Sequence, residues 1–351
     1  MTPDPFSIVI FAPNWLGDAV MALPAVADVR RHYPSARLVI AARAGIADLF
    51  TLVPGVDDII TLRWKGRWWA RTAMREDAAR LSAVGAGVAI LFPNSFSTAW
   101  LAARAGVPER WGYARDMRGR LLTRAVPPPR HSLHQTAYYQ HLTHALAVPA
   151  GPLEPELQVP ASAVDEARRL LVAHGWDELR PVIVLAPGAA YGTAKRWIPS
   201  HVATLVTDLV RRRGMCCVLV GSRADRATTS SIRHGVGQDV ISHVIDIAGE
   251  TSLAALAGVL TLAQACVAND SGAMHLAAAI GVPIAAVFGP TREHETAPLS
   301  RGGRPAIVLT HPAWCRPCML RECPIDHRCM TRITPERVFT TIEQMMTGVA
   351  R

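Results

Sequence analysis

The sequence predicts an α/β fold with two doubly wound domains, each built on a parallel sheet. Its 351 residues exceed what one ordinary core holds and suit two domains. Half of the residues are apolar and 19% are charged, which is the composition of a globular protein. Short apolar runs alternate with amphipathic helical stretches along the chain, and this alternation is the pattern of βαβ units.

The first half of the chain contains four predicted strands, each a short apolar run followed by a helical stretch. These strands cover residues 7–12, 37–42, 58–62 and 87–92, and the predicted helices cover 18–32, 46–52, 71–84, 97–105 and 135–146. Four prolines between Val148 and Pro160 then predict a linker. The first domain is therefore expected to span residues 1–160.

The same alternation restarts after the linker and predicts a second domain over residues 161–333. Its predicted strands cover 182–186, 215–220, 244–246, 265–268 and 283–288, and its helices cover 165–174, 201–213, 226–234, 252–261 and 274–280. A last helix is predicted over 334–346, with Thr334 as N-cap and Pro335 at the first helical position. We expect a cleft between the domains, because ligands of such sheets bind beyond the carboxyl ends of the strands.

The charge is unevenly distributed. Residues 1–150 hold 17 basic and 10 acidic side chains, whereas the remainder holds 20 and 18. The excess in the first half indicates an anionic partner there, such as nucleic acid, anionic lipid or a phosphorylated or carboxylated substrate. Lysine occurs only as Lys65 and Lys195, a pattern that genome composition alone can produce.

Two classes of protein are excluded by the sequence. No stretch of 18 residues lacks polar interruption, which argues against a membrane-spanning protein. The length and the distribution of seven cysteines do not fit a small disulfide scaffold. Residues Met1–Ser7 have Asp4, two prolines and no basic cluster, so we do not expect a secretory signal.

Acidic and glycine-rich loops follow several predicted strands. Neither a G-x-G-x-x-G nor a P-loop motif is present, which disfavours NAD binding and P-loop NTPases. Asp18 follows the first strand and has two interpretations, a helix-capping acid or a general base. Gly188, Thr193 and Lys195 follow the first strand of the second domain and suit a phosphate, although an ordinary flexible turn has the same composition.

A second anion-binding loop precedes the predicted helix 274–280. Asp270, Ser271 and Gly272 open this helix, and free N–H groups at a helix N-terminus bind anions. His275 lies in its first turn as a phosphate donor or as a structural histidine. Asp225 follows another strand, where an acid either contacts ribose hydroxyls or caps the next helix.

Together these loops resemble a known family. The motifs Asn14-Trp15-Leu16-Gly17-Asp18, Pro93-Asn94-Ser95-Phe96, Gly188 through Trp197, Ala248-Gly249-Glu250-Thr251, Asn269 through His275 and Gly289-Pro290-Thr291 occur in this order. They are similar to those of glycosyltransferase family 9, the ADP-heptose:lipopolysaccharide heptosyltransferases, and especially to its heptosyltransferase II members. The resemblance implies a GT-B fold with two Rossmann-like domains facing across a cleft and with segment 334–351 packing back towards the first domain. It implies inverting transfer without a metal cofactor.

The resemblance also implies a role for individual residues. Asp18 would be the catalytic base, and Lys195 would stabilise the leaving diphosphate. The donor, ADP-heptose, would be held by Gly188, Thr193, Lys195, Asp225, Glu250, Asp270, Ser271, Gly272 and His275. The acceptor, the anionic inner core of lipopolysaccharide, would be held by Asn14, Asn94, Ser95, Arg63, Arg115 and Arg118. Arginine and aromatic side chains suit anionic sugars, while solvated helix faces are the alternative for any single arginine.

Four cysteines lie close together near the end of the second domain. Cys315, Cys318, Cys323 and Cys329 permit a structural zinc or iron site, free or redox-active thiols, or disulfides. Some relatives that glycosylate autotransporter proteins are said to carry a four-cysteine iron site in this region, which keeps iron beside zinc.

The expected protein is cytoplasmic, with the pair Trp68-Trp69 as a point of peripheral contact with the cytoplasmic face of the inner membrane. Two alternatives remain open. One is a heptosyltransferase that modifies a protein acceptor. The other is a non-catalytic nucleic-acid-binding protein, which charge alone suggests and for which no binding motif is present, so no nucleic acid is expected as a partner.

Overall fold

The computed structural model describes residues 7–347 and divides the chain into two compact units, Met1–Glu156 and Leu157–Arg351. The boundary lies in the proline-rich segment, a few residues before the expected boundary at residue 160. The absence of a secretory signal was expected from residues 1–7, of which 1–6 lie outside the described part.

The first unit contains a parallel sheet with helices on its faces. Its strands are β1 Ser7–Phe11, β2 Arg37–Arg43, β3 Asp58–Leu62, β4 Val88–Leu91, β5 Glu109–Tyr113 and β6 Arg124–Val126. Its α-helices are α1 Leu16–Met21, α2 Leu23–His32, α3 Ala44–Ala47, α4 Arg71–Ala83, α5 Phe96–Arg104 and α6 Gln135–Ala145. The strand order is β3-β2-β1-β4-β5-β6, and every pair is parallel. Ile8 of β1 lies beside both Leu38 and Val88.

The second unit repeats this topology. Its strands are β7 Val182–Ala186, β8 Cys216–Leu219, β9 Val244–Asp246, β10 Ala263–Asn269, β11 Ile284–Phe288 and β12 Ala306–Thr310. Its α-helices are α7 Ala161–Ala173, α8 Pro199–Arg213, α9 Arg226–Gly235, α10 Leu253–Thr261, α11 Gly272–Ile280, α12 Glu293–Thr296, α13 Arg328–Thr331 and α14 Pro335–Met346. The sheet order β12-β11-β10-β7-β8-β9 is again entirely parallel. The expected α/β fold with two doubly wound parallel sheets is confirmed.

Three strands of the structure were not predicted. They are β5, β6 and β12. The strands β5 and β6 begin with charged, exposed residues, so neither reads as an apolar run. The strand β12 does carry an apolar run, AIVLT, and its pattern was available in the sequence.

The predicted helix over residues 18–32 is two helices in the structure. α1 ends at Met21 and α2 begins at Leu23. Pro24 lies in the first turn of α2 and has no backbone N–H to donate to the preceding turn, so one continuous helix loses a hydrogen bond there.

The last helix belongs to the core of the second unit. Its side chains Val338, Phe339, Ile342 and Met345 are buried in one cluster with residues of β7, β8 and α8. The resemblance placed segment 334–351 against the first domain, and that contact stays a prediction. Residues 348–351 lie outside the described part.

Candidate active site

Both sheets have their topological switch point between the first and fourth strands of the unit. There the crossovers depart to opposite sides, and ligands of doubly wound sheets bind in the crevice that forms. In the second unit the strands at this point are β7 and β10, which are followed by the loop from Pro187 to Lys195 and by Asp270. In the first unit they are β1 and β4, which are followed by the loops that hold Asp18 and Asn94.

Lys195 and Asp270 form an ion pair at the switch point of the second unit. Lys195 Nζ lies 2.6 Å from Asp270 Oδ2, and the two side chains are only 13% and 6% exposed. Thr291 Oγ1 donates a hydrogen bond of 2.7 Å to the same carboxylate oxygen. The ammonium also lies 4.9 Å from the centroid of the Tyr191 ring. Lys195 is thus held in a mostly desolvated position, where a cation acts strongly on a bound anion.

The N-terminus of α11 lies beside this ion pair. Ser271 is the N-cap residue and Gly272 the first helical residue, while His275 in the first turn is buried. Ser271 Oγ is buried and makes no hydrogen bond within the described part of the chain. Unpaired backbone N–H groups and an unpartnered hydroxyl at a helix N-terminus suit an anionic oxygen ligand.

Asn269 connects the loops that follow β7 and β10. Its Nδ2 donates a hydrogen bond of 2.6 Å to Pro187 O, and its Oδ1 accepts one of 3.1 Å from Trp197 N. In the sequence, Asn269 is recognisable only as part of a motif, and its burial is not visible there. In the structure its side chain ties the two ends of the Gly188–Lys195 loop to the end of β10.

Asp225 contacts the same loop from the side of β8. A Cβ atom on Gly188 would lie 2.5 Å from Asp225 Oδ1, so only glycine allows this approach. Asp225 Oδ2 accepts hydrogen bonds of 2.9 Å and 2.7 Å from Ser222 N and Oγ. The carboxylate therefore closes the turn that precedes α9 and makes no capping hydrogen bond to α9, which was the alternative to a ribose contact. The ribose contact stays a prediction.

Glu250 and Thr193 lie nearer the surface. Glu250 Oε2 is 3.1 Å from His174 Nε2, and both side chains are about a third exposed. Thr193 is exposed and begins the turn that ends at Lys195. Both residues lie on loops beyond the carboxyl ends of strands, as a donor contact requires.

The cysteine-rich segment, residues 315–329, packs on the Gly188–Lys195 loop. Ala194 N donates to Arg321 O at 2.9 Å, and Tyr191 Oη donates to Met319 O at 2.8 Å. His327 Nε2 lies 2.7 Å from Ala194 O. A Cβ atom on Gly192 would lie 2.2 Å from Arg321 O, so this glycine permits the close approach of the two backbones. No local pattern in the sequence connects the two segments.

The expectation of a structural zinc or iron ion at Cys315, Cys318, Cys323 and Cys329 finds no support in the structure. Within residues 7–347 no group of three or more His, Cys, Asp or Glu side chains is arranged to hold a metal ion. The four thiols are free. Burial, with the nearby charges of Cys315, Cys323 and Cys318, raises the pKa of Cys329 above its usual value.

Asp18 lies in the first turn of α1, directly after β1, and is half-buried. Helix α6 packs beside it, and burial together with the Asp18 charge holds the pKa of Tyr139 well above its ordinary value. The carboxylate therefore lies where an acceptor hydroxyl at the carboxyl edge of the sheet could reach it.

Arg118 differs from its expected role as an acceptor contact. It is completely buried, and burial lowers its pKa to about 10. Its guanidinium donates to Tyr113 O at 2.9 Å, to Asn94 Oδ1 at 3.4 Å and to Pro93 O. Because these guanidinium N–H groups already donate to acceptors within the protein, we assign Arg118 the role of positioning the loop after β4.

The other expected acceptor residues fall into two groups. Asn94 Nδ2 donates to Tyr138 Oη at 2.9 Å, and Ser95 caps α5, so both have structural partners. Asn14, Arg63 and Arg115 are exposed and are available to a ligand. Arg63 makes only a loose pair with Glu76 at 3.9 Å.

Two tryptophans project from the loop between β3 and α4. Trp68 and Trp69 are 75% and 61% exposed, and their rings meet edge to face at 5.7 Å. The start of this loop is anchored by Asp77, which accepts hydrogen bonds from Arg63 N and Trp64 N. No helix within residues 7–347 combines the length and the apolar character that a membrane span requires.

Comparisons with known proteins agree with this architecture. A family model described as glycosyltransferase family 9 (heptosyltransferase) matches residues 74–328. Lipooligosaccharide heptosyltransferase 2 of Haemophilus ducreyi is 29% identical over 351 residues, covering 97% of this chain and 99% of that protein. Lipopolysaccharide heptosyltransferase 2 of Escherichia coli K12 is 29% identical over 347 residues, covering 97% and 98%. The solved structure of E. coli ADP-heptose lipopolysaccharide heptosyltransferase II superposes with a TM-score of 0.85 at 27% identity, covering 99% of this chain and all of that chain.

Two Rossmann-type units with this strand order and this structural match define a glycosyltransferase of the GT-B fold class. The chain belongs to glycosyltransferase family 9, the heptosyltransferase family, and is a transferase. The resemblance to this family in the loop motifs is therefore confirmed.

Proposed function

We propose that this protein is an inverting heptosyltransferase that moves heptose from ADP-heptose to the lipopolysaccharide inner core, onto the first heptose. The observation that carries the proposal is the Lys195–Asp270 pair beside the N-terminus of α11, at the switch point of a Rossmann-type sheet. A fixed ammonium and a helix N-terminus suit the diphosphate of a nucleotide sugar. The relatives named above support heptose as the transferred sugar.

The proposed reaction is a single displacement at the anomeric carbon. The acceptor oxygen forms a bond to this carbon while the bond to the diphosphate oxygen breaks, and ADP departs. An Asp carboxylate is a much weaker base than an alkoxide, so Asp18 takes the hydroxyl proton in concert with this displacement. Lys195 and the amides at Ser271 and Gly272 stabilise the negative charge that grows on the diphosphate.

The proposed roles of the remaining donor-binding residues follow from their positions in the fold. Asp225 and Glu250 lie on the loops after β8 and β9, on the side of the switch point where a nucleoside would bind. His275 would add a donor to the phosphates from the first turn of α11. Gly188 would contact the donor through its backbone and lets the Asp225 carboxylate lie against the β7 loop, because a Cβ atom there would meet that carboxylate.

For the acceptor we propose the anionic sugar of a lipid, not a protein. The relatives named above are lipooligosaccharide and lipopolysaccharide enzymes, which favours the lipid. Asn14, Arg63 and Arg115 are exposed and would contact its carboxylates or phosphates. The nucleic-acid alternative rests on charge alone and assigns no role to the loops around Lys195 and Asp270.

We further propose that the protein works at the cytoplasmic face of the inner membrane, with Trp68 and Trp69 at the lipid interface. Their exposed indole rings stand beside the cation Arg67, whose Cζ lies 5.6 Å from the Trp69 ring. Indole rings and arginine favour the headgroup region of an anionic bilayer.

The test of the proposed function is transfer from ADP-heptose to a core acceptor that ends in the first heptose. Wild type is compared with Asp18→Asn and with the control Asp48→Asn, which changes an exposed acid in the first turn of another short helix of the same unit. We expect transfer by the wild type and the control, and a loss of at least about 100-fold in Asp18→Asn with unchanged donor affinity. Full activity of Asp18→Asn would remove Asp18 from the mechanism. Wild-type transfer to a protein instead of the lipid would replace the proposed acceptor.

A further inference from the structure

The proposed transfer assigns no role to the cysteine-rich segment, although this segment lies directly on the Gly188–Lys195 loop, which we call the donor loop. Three contacts join it to residues 191–194: Arg321 O with Ala194 N, Met319 O with Tyr191 Oη, and His327 Nε2 with Ala194 O. The absence of a side chain at Gly192 allows the two backbones to touch. The segment therefore forms one wall of the loop that ends at Lys195.

The cysteine-rich segment also places a cation, Arg321, beside the donor loop. Arg321 Cζ lies 5.3 Å from the centroid of the Tyr191 ring, and Lys195 Nζ lies 4.9 Å from the same centroid. The two cations therefore lie at most about 10 Å apart, which is about the Debye length at 0.1 M salt. Two positive charges beside one ring repel each other, and an anion between them relieves this repulsion.

The two cations differ in their partners. Lys195 is mostly buried and paired with Asp270. Arg321 is exposed, and within the described part of the chain its guanidinium contacts the Tyr191 ring but forms no ion pair. Of the two cations beside the Tyr191 ring, Lys195 thus has a carboxylate partner and Arg321 has none within the described residues, which leaves one unbalanced positive charge at this ring. A nucleoside diphosphate carries the charge that would balance it, and a guanidinium can bind phosphate oxygens in bidentate geometry.

We propose that Arg321 is a second diphosphate-binding residue, presented to the donor by the cysteine-rich segment. This inference rests on the proposed function, since it names a further contact of the same donor. Lys195 would contact the diphosphate from its mostly buried position, and Arg321 would contact it from the protein surface. The segment then fixes the position of Arg321 relative to the donor loop through the backbone contacts around Gly192 and Ala194.

The test measures the dissociation constants of ADP and of adenosine by isothermal titration calorimetry on the full-length protein. The variants are Arg321→Ala and Arg321→Lys, with Arg304→Ala as control. Arg304 is an exposed arginine of the same unit near Gly281, at the opposite end of α11 from the donor loop. Adenosine lacks phosphates, so a phosphate contact affects ADP alone, whereas a disordered loop affects both ligands.

We expect Arg321→Ala to weaken ADP binding by about 10-fold or more, as for a lost hydrogen bond to a charged group, with unchanged affinity for adenosine. Arg321→Lys should recover only part of the loss, because it keeps the charge but not the bidentate geometry, and Arg304→Ala should bind ADP like wild type. Unchanged ADP affinity in Arg321→Ala, or an equal loss for ADP and adenosine, would overturn the proposal. A wild type that binds ADP but transfers no heptose would refute the proposed function and leave the assignment of Arg321 intact.

Discussion

Replacing Lys195 by methionine removes the ammonium and keeps most of the side-chain volume. In the structure this change leaves Asp270, which is 6% exposed, without its partner at 2.6 Å, and among residues 7–347 the Thr291 hydroxyl remains as its side-chain donor. Breaking a mostly buried pair in this way costs about 3 kcal/mol of unfolding free energy. In this variant the unpaired Asp270 carboxylate also repels the negatively charged diphosphate of the donor. Donor affinity should therefore fall, and kcat should fall by about 100-fold or more.

The double variant Lys195→Met/Asp270→Asn separates stability from catalysis. It contains neither charge, and the amide can still accept the Thr291 hydrogen bond, so most of the lost stability should return. The activity should stay low because the cation is still absent. The matched control is Arg211→Met, which breaks an exposed pair with Asp239 at 2.7 Å in the same unit and should cost less than about 1 kcal/mol.

The assay combines urea denaturation with the rate of ADP release at saturating donor. The expected pattern is a large loss of stability in Lys195→Met, recovery in the double variant, and low kcat in both. A double variant that regains wild-type activity would show that Asp270 repulsion, and not loss of the cation, caused the defect. Wild-type kcat in Lys195→Met would refute the role of Lys195 altogether.

Three further predictions concern residues outside the ion pair. Arg118→Met should lower the unfolding free energy by about 3 kcal/mol in urea denaturation, because Tyr113 O and Pro93 O lose a buried donor. The control Arg115→Met changes an exposed arginine and should alter the unfolding free energy by less than about 0.5 kcal/mol. Equal effects of the two variants would contradict the positioning role of Arg118. Burial raises the pKa of Cys216 to about 11 and that of Cys266 to about 12, so at pH 8 these thiols stay protonated. Iodoacetamide at pH 8 should therefore label Cys315, Cys318 and Cys323 first in peptide mass spectrometry, and early labelling of Cys266 would oppose this. Trp68→Ala/Trp69→Ala should weaken sedimentation with vesicles of anionic phospholipid while leaving ADP affinity unchanged, and unaltered sedimentation would remove these rings from the membrane contact.

Much of the fold was readable from local sequence pattern. Strands such as β1, β4 and β7 are buried on both faces, so they appear as uninterrupted apolar runs that the sequence displays directly. The strands β5 and β6 begin with exposed charged residues, so their pattern is broken and they were missed. The break between α1 and α2 depends on a proline, a signal that the sequence does contain.

The site was predictable to the extent that its residues follow strands. Asp18, Asp225 and Asp270 were each singled out as polar residues in loops after apolar runs, and all three lie at the carboxyl ends of strands in the structure. Tyr191 and Thr291 were included only as members of motifs, and Arg321 was assigned no role. Their contacts join segments that are distant in the chain, and no local pattern encodes such partners.

The residue pattern along the chain determined the two α/β units and the loops that hold the candidate site, because burial of a strand and the chemistry of the loop after it are local properties. Which loops meet was decided by strand order. β7 and β10 are neighbours although β8 and β9 lie between them in the chain, and this adjacency brings Lys195 to Asp270. Packing likewise assigned Arg118 to the interior and placed the cysteine-rich segment on the donor loop, since burial and backbone pairing across long chain separations exist only in the folded protein.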